Sequence, residues 1–319
     1  MRHNALPPEK AAEALRFMRL AKGNLSEAAR LSGVHRITLR DRLEVARRYI
    51  ADGKLTEDND PLPESDEHSA RLQVECENGV ILIASDAHYW PGVVTTMHRA
   101  FVRACKEMQP RVVIMNGDVF DGASVSRHSP IMWETRPSVQ QEIEACQERL
   151  GEIEQASGKA QKIWTFGNHD ARFESRLASQ VPEYANVDGM HLKDRFPLWQ
   201  PCWSAFVNDN TVVKHRFKGG IHATHNNTLW AGRTVVTGHL HSAKVTPLTD
   251  YNGTRWGVDS GTLCEAPWKQ AIDYLEDNPV NWRSAFVVLT FHKGRLLQPE
   301  LALQHGPGQV DWRGRVYDV

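Results

Sequence analysis

From Glu9 to Ile50 the apolar residues, among them Leu15, Met18, Leu25, Ala28, Leu31, Ile37, Leu39 and Leu43, recur mostly in steps of three and four. That period is helical, and breaks at Gly23 and Ser32-Gly33 divide it into three short helices. Ser26 is placed to cap the second and Gly33 to make the turn before the third. After residue 70 the pattern changes. Short apolar runs at Val80–Ala84, Val112–Met115 and Ile163–Phe166 alternate with amphipathic stretches at Thr95–Met108 and Val139–Gln155. Strand, helix, strand, helix, strand predicts an α/β core with parallel pairing and right-handed crossovers. From about residue 200 the runs become hairpin-like: Ser204–Val207, Val212–His215, Thr234–Thr237, Lys244–Pro247, Arg255–Val258 and Ala285–Phe291.

These textures define four segments: an all-α domain over 1–50, a linker over 51–72, a large domain over 73–305 and a tail over 306–319. The linker holds seven acids between Asp52 and Glu67, with Pro61 and Pro63, and little that is apolar. The tail is Gly-rich and is expected to be loose. At 319 residues, with 41% hydrophobic positions, the chain can bury a sizeable core. Nothing in it reaches the ~18 apolar residues of a membrane span, and Met1-Arg2-His3-Asn4 opens no apolar signal segment. A soluble, cytoplasmic protein with no membrane partner is expected. Five scattered cysteines without a C-x-x-C pair argue against a disulfide framework or zinc ribbon and read as reduced, mostly buried thiols.

The net charge of −1 hides an asymmetry, since residues 1–50 carry 11 Lys and Arg against 5 Asp and Glu. Gly23 to Leu43 resembles bacterial helix-turn-helix DNA-binding segments. The resemblance implies that the third helix enters the major groove, with Arg36, Arg40 and Arg42 divided between phosphates and base edges. The alternative is a basic bundle used for assembly into an oligomer.

The informative polar residues stand at the ends of the expected strands. Strand one ends in Ser85-Asp86-Ala87-His88, strand two in Asn116-Gly117-Asp118-Val119-Phe120-Asp121, and strand three in Gly167-Asn168-His169-Asp170. Ligands of open α/β sheets sit outside the carboxyl ends of the strands, so three such ends converge on one site. Lys214-His215 and Gly238-His239-Leu240-His241 follow further on. Asp, Asn and His without Cys form a mixed oxygen and nitrogen set suited to first-row divalent ions. Gly117, Gly167 and Gly238 give the backbone room to turn beside a crowded centre.

In this order, Asp-x-His, Gly-Asp-x-x-Asp, Gly-Asn-His-Asp, a lone His and Gly-His-x-His resemble the calcineurin-like metallophosphoesterases over roughly residues 78–300. The resemblance implies an α/β fold, a β-sandwich of two mixed sheets flanked by helices, here with the small all-α domain in front. It implies two divalent ions, Mn first, with Fe, Zn, Co or Ni as alternatives. Asp86, His88 and His241 would bind one, Asn168, His215 and His239 the other, and Asp118 both. His169 would be the catalytic histidine, with Asp121 and Asp170 orienting histidines or loops. In the family the lone histidine is often followed by Gly, whereas Arg216 follows His215. His215 is favoured because it ends a β-like run, with His222 and His225 as alternatives. Tyr89 and Trp90, next to His88, are candidates to stack against a base, Arg127 and His128 to contact phosphate, and His222 to line the cleft.

The chemistry implied is phosphoester hydrolysis by in-line attack of a metal-activated hydroxide. The basic head favours a phosphodiesterase or nuclease acting on nucleic acid. A phosphomonoesterase acting on phosphoprotein or nucleotide, and a DNA-binding regulator with a nucleotide-sensing body, are the alternatives.

Overall fold

The computed structural model describes residues 6–52, 55, 70–129, 133–265, 275 and 277–319. Most of the expected linker, including Pro61 and Pro63, lies outside them. The chain divides into two compact units, Met1–His68 and Ser69–Val319.

The first unit comprises α1 (Pro8–Leu20), α2 (Leu25–Ser32) and α3 (Arg36–Ala51). Its core is small, with Ala14, Ala21, Ala28, Leu39 and Leu43 buried together. The cap of α2 differs from expectation. Asn24, not Ser26, is the cap and accepts the N–H groups of Ser26 and Glu27 at 3.0 and 3.2 Å, because the helix begins two residues earlier. Gly33 ends α2 in the left-handed region at φ 65°, and α3 follows after Val34-His35.

The second unit opens with β1 (Arg71–Val74), which starts inside the segment expected to be linker. There follow β2 (Gly79–Ala84), α4 (Thr96–Met108), β3 (Val112–Met115), α5 (Val139–Ser157), β4 (Gln161–Thr165) and α6 (Ala171–Gln180). Next come β5 (Gln200–Cys202), β6 (Ser204–Val207), β7 (Thr211–Val213), α7 (Ala223–Ala231), β8 (Thr234–Thr237), β9 (Lys244–Asp250) and β10 (Gly253–Asp259). The unit closes with β11 (Ala285–His292), β12 (Arg295–Leu296), β13 (Glu300–Gly306), β14 (Gln309–Trp312) and β15 (Arg315–Asp318).

Among the described residues these strands form two mixed sheets. One runs β1-β6-β7-β8-β10-β9 and the other β15-β14-β13-β11-β2-β3-β4-β5, with β12 beside β11. Strands β2, β3, β4 and β5 are parallel, as the alternation with α4 and α5 requires. β2 shows how the layers are divided. Ile81 and Ile83 pack with Val213, Val236 and Val258 of the other sheet, whereas Leu82 and Ala84 pack with Met97, Phe101 and Leu150 of the helices. Burial on both faces is why this strand reads as an unbroken apolar run rather than an alternating one. Helix α7 packs against β8, β9 and β10.

The tail is not loose. β14 and β15 pair through the two-residue turn Arg313-Gly314, and Val310 reaches the core under α4. Gln-Val-Asp-Trp alternates polar and apolar positions, which suits a strand with one face covered. All five cysteines are free and buried. No helix among the described residues is long and apolar enough to cross a membrane.

Candidate metal centre

The strand ends hold their polar residues in unusual backbone. Asp86, His88, Asp118, His239 and His241 all have positive φ, between 40° and 73°. Few non-glycine residues adopt this region, and clusters of them mark sites where the surrounding fold imposes the geometry. The neighbouring glycines are sterically required. A Cβ on Gly117 would overlap the His215 ring, one on Gly167 would overlap Asp118 Oδ1, and one on Gly238 would crowd Asp86 and Ser85.

Two groups of ligand atoms result, Asp86, His88 and His241 in one, and Asp118, His215 and His239 in the other. In the first, His241 Nε2 lies 2.8 Å from Asp86 Oδ1, and Asp86 Oδ2 accepts the His239 backbone N–H at 2.9 Å. In the second, His215 Nε2 is 3.0 Å from Asp118 Oδ2, while His215 Nδ1 faces the Asn116 carbonyl at 2.8 Å. That contact places the proton of neutral His215 on Nδ1 and turns Nε2 toward Asp118.

Burial alone would push the Asp86 carboxyl up, but the imidazoles of His241 and His215 outweigh it and hold the carboxyl at about 2. The same opposition holds Asp118 far below the carboxylate range, with His215 the main influence. Burial works against a charge on His215, yet the Asp118 and Asp86 carboxylates raise it to about 10. Two carboxylates at 0% and 1% exposure therefore draw positive charge to this place. Asn168 Oδ1, also buried, has no hydrogen-bond partner among the described residues. Buried anions, imidazole nitrogens and an unused amide oxygen fit a pair of divalent cations.

Asp121 carries a different task. Its Oδ1 lies 2.7 Å from His88 Nδ1 and 2.9 Å from His169 Nδ1, so one carboxylate orients both rings and leaves both Nε2 atoms directed away from it. These three also lie close enough to hold an ion. Both Nδ1 atoms, however, are already engaged by Asp121. Asp170 accepts the N–H groups of Asp118, Val119, Phe120 and Gly167 and the Trp164 Nε1–H, and so anchors the loop that bears Asp118.

The structure brings His215 into the centre at 1% exposure and leaves His222 and His225 exposed outside both groups. Arg127 and His128 are exposed on the loop after β3 and touch none of these residues through a described hydrogen bond or ion pair. Tyr89 is not a surface platform. It is buried in the helix-facing core with its hydroxyl 3.0 Å from His98 Nδ1, because the β2 end turns it away from solvent. Trp90 is half-buried. Arg36 and Arg40 are exposed on α3 and Arg42 partly so.

Two contributors were not foreseen. Arg172 Nη2 lies 3.0 Å from His169 Nε2, and its Nη1 donates to the Asp121 carbonyl at 2.9 Å. Its position three residues after His169, on the first turn of α6, was the available signal. Trp282 packs edge-on against His241 with centroids 4.8 Å apart, and no short-range pattern announces it.

Fold and site together fit a metallohydrolase: a layered sandwich whose strand ends carry candidate ligand groups for metal ions. Residues 79–294 match the family model of the calcineurin-like phosphoesterases, and the chain belongs to that family, whose members hydrolyse phosphoesters at a dinuclear divalent-metal centre. No curated protein matches it in sequence. Similar solved structures include Vps29 from Entamoeba histolytica complexed with Zn2+, 10% identical, covering 75% of this chain and 98% of that one at a TM-score of 0.40. An archaeal phosphodiesterase is 17% identical over 70% of this chain and 99% of its own, at 0.35. A protein serine/threonine phosphatase from Saccharomyces cerevisiae, with similarity to human phosphatase PP5, is 11% identical over 74% and 85%, at 0.36.

Proposed function

We propose that this phosphoesterase is a phosphodiesterase acting on nucleic acid, with residues 1–50 as its DNA contact. The observation that supports the reading is the pairing, in one chain, of a phosphoesterase ligand set with a basic three-helix unit. That unit ends in α3, where Arg36 and Arg40 stand exposed.

In this reading Asp86, His88 and His241 hold one cation, Asn168, His215 and His239 the other, and Asp118 serves both. When bound, such a pair lowers the pKa of a water toward ~7 and offsets charge on the phosphate oxygens. The chain's own residues supply the rest. Asp121 fixes His169 through Nδ1, which makes Nε2 the atom that gives a proton to the departing oxygen. Burial opposes a charge on His169, but the hydrogen bond it donates to Asp121 and the Asp118 charge raise its pKa above the usual histidine value. His169 Nε2 can accept from Arg172 only while unprotonated, so protonation turns two donors toward one anion. No protein nucleophile is required.

The test is turnover by the Mn2+-loaded protein of a generic phosphodiester, the matching monoester and a labelled DNA strand, with Asp118→Asn as the blank. Diester and DNA cleavage absent from the blank is the expected result. Cleavage of the monoester alone would move the reading to a phosphatase. A steep loss of DNA affinity with salt, weakened in Arg36→Ala and Arg40→Ala, is expected of the head.

A further inference from the structure

The second unit is close to neutral as a whole, with 26 Lys and Arg against 27 Asp and Glu over residues 69–319, yet between Asp209 and Asp250 there is not one Asp or Glu, while Lys214, Arg216, Lys218, Arg233 and Lys244 fall in that interval. This interval contains His215 and His239 and the α7 crossover that joins their strands. It is also where large apolar side chains reach solvent. Trp230 is 69% exposed and Phe217 40% exposed.

The cations and rings are paired. Lys218 Nζ sits 3.8 Å from the centroid of the Trp230 ring and Lys214 Nζ 4.9 Å from that of Phe217. The arrangement is built rather than incidental. The Lys218 N–H donates to Asn227 Oδ1 at 3.0 Å and Asn227 Nδ2 returns a bond to the Lys218 carbonyl, which ties the loop after His215 to α7. Asn227 itself is buried at 1% exposure.

We infer that Phe217, Lys218 and Trp230 form a stacking site for single-stranded nucleic acid beside the metal centre, an inference that rests on the nucleic-acid reading above. Exposed rings offer faces to unpaired bases, and the flanking ammonium and guanidinium groups track the phosphates between them. A duplex keeps its base faces stacked inside, so this surface selects an unpaired strand. A protein partner would need acidic side chains to meet the same cations, whereas a strand supplies phosphates for them and bases for the ring surface that the lysines leave exposed.

The test is binding of a fluorescent single-stranded oligothymidylate to the full chain in chelator, so that no cleavage occurs. It compares wild type with Trp230→Ala, Lys218→Ala and Trp230→Phe. Alanine at either position is expected to weaken binding fivefold or more, with Trp230→Phe retaining most of the affinity because Phe still offers a face. Both side chains are exposed, and unchanged thermal melting shows that the variants are folded. Equal binding by all four proteins would overturn the inference, as would tighter binding of an acidic phosphopeptide than of the strand. DNA cleavage is scored separately with metal. Its absence, with strand binding still lost in the alanine variants, would overturn the proposed reaction and leave the stacking site standing.

Discussion

The carboxylate of Asp170 accepts the backbone N–H of Asp118 at 2.8 Å, so the residue assigned to both cations is held by a side chain from the next strand end. Four further N–H donors converge on the same carboxylate. Asp170→Asn would turn an amide NH2 toward some of them. A loss of about 2–4 kcal/mol in stability is expected, together with reduced metal occupancy. Urea denaturation and metal analysis measure the two, and a variant as stable and as fully loaded as wild type would refute the anchoring role.

Gly167→Ala tests the packing of the centre without replacing any proposed ligand. Its new methyl would overlap Asp118 Oδ1. Turnover should fall more than about tenfold, as for a displaced ligand, while far-UV circular dichroism stays unchanged. Full turnover would show that the Asp118 loop can shift freely.

Glu142 accepts the N–H groups of Gly122 and Ala123 at 2.9 and 3.0 Å. Burial, then the nearby Asp121 charge, push its carboxyl from 4.5 up to about 7. A folded-state pKa above the unfolded one means that the native chain keeps a proton the unfolded chain has released. For this group stability is fullest below pH 4.5, declines as pH rises to about 7, and is level beyond. The full effect is roughly 3 kcal/mol. Asp259, raised to about 7 by burial, adds in the same direction. Glu142→Gln should therefore lose less stability than wild type between pH 5 and pH 8 in urea melts, and parallel losses would contradict the assignment.

Every cysteine is buried, and burial pushes Cys105 and Cys202 up to about 12 and raises Cys76, Cys146 and Cys264 as well. Thiolate is the reactive form. Native protein at pH 8 should titrate almost no thiol with a disulfide reagent, and unfolded protein all five. Rapid modification of the native chain would show that one of these sites opens.

The candidate ligand groups were legible because their spacing is local: each motif spans a strand end, and short motifs keep their geometry wherever the strand is placed. The choice among His215, His222 and His225 was not local. It turns on β7 pairing with β8, which carries His215 to Asp118 and leaves His222 at the N-terminal end of α7 and His225 within that helix. Tyr89 was misread because sequence adjacency to His88 says nothing about which way a left-handed residue sends its neighbour. The β14–β15 hairpin was passed over because its two strands are four residues each and lie among glycines, although β14 does alternate. Arg172 and Trp282 meet the centre through a helix turn and a distant loop respectively, and only the fold joins them to it.

The left-handed backbone at five of the proposed ligand positions changes what mutagenesis here can report. Alanine at Asp86, His88, Asp118, His239 or His241 removes a ligand and also a residue type that tolerates this conformation better than most side chains with a Cβ. A scan by alanine would thus mix lost coordination with backbone relaxation. Asparagine, which visits the left-handed region readily, keeps the main chain where it is, and a glycine control isolates the conformational share. At these positions the informative alphabet is Asn and Gly, and the difference between them separates what the side chain binds from what the turn itself demands.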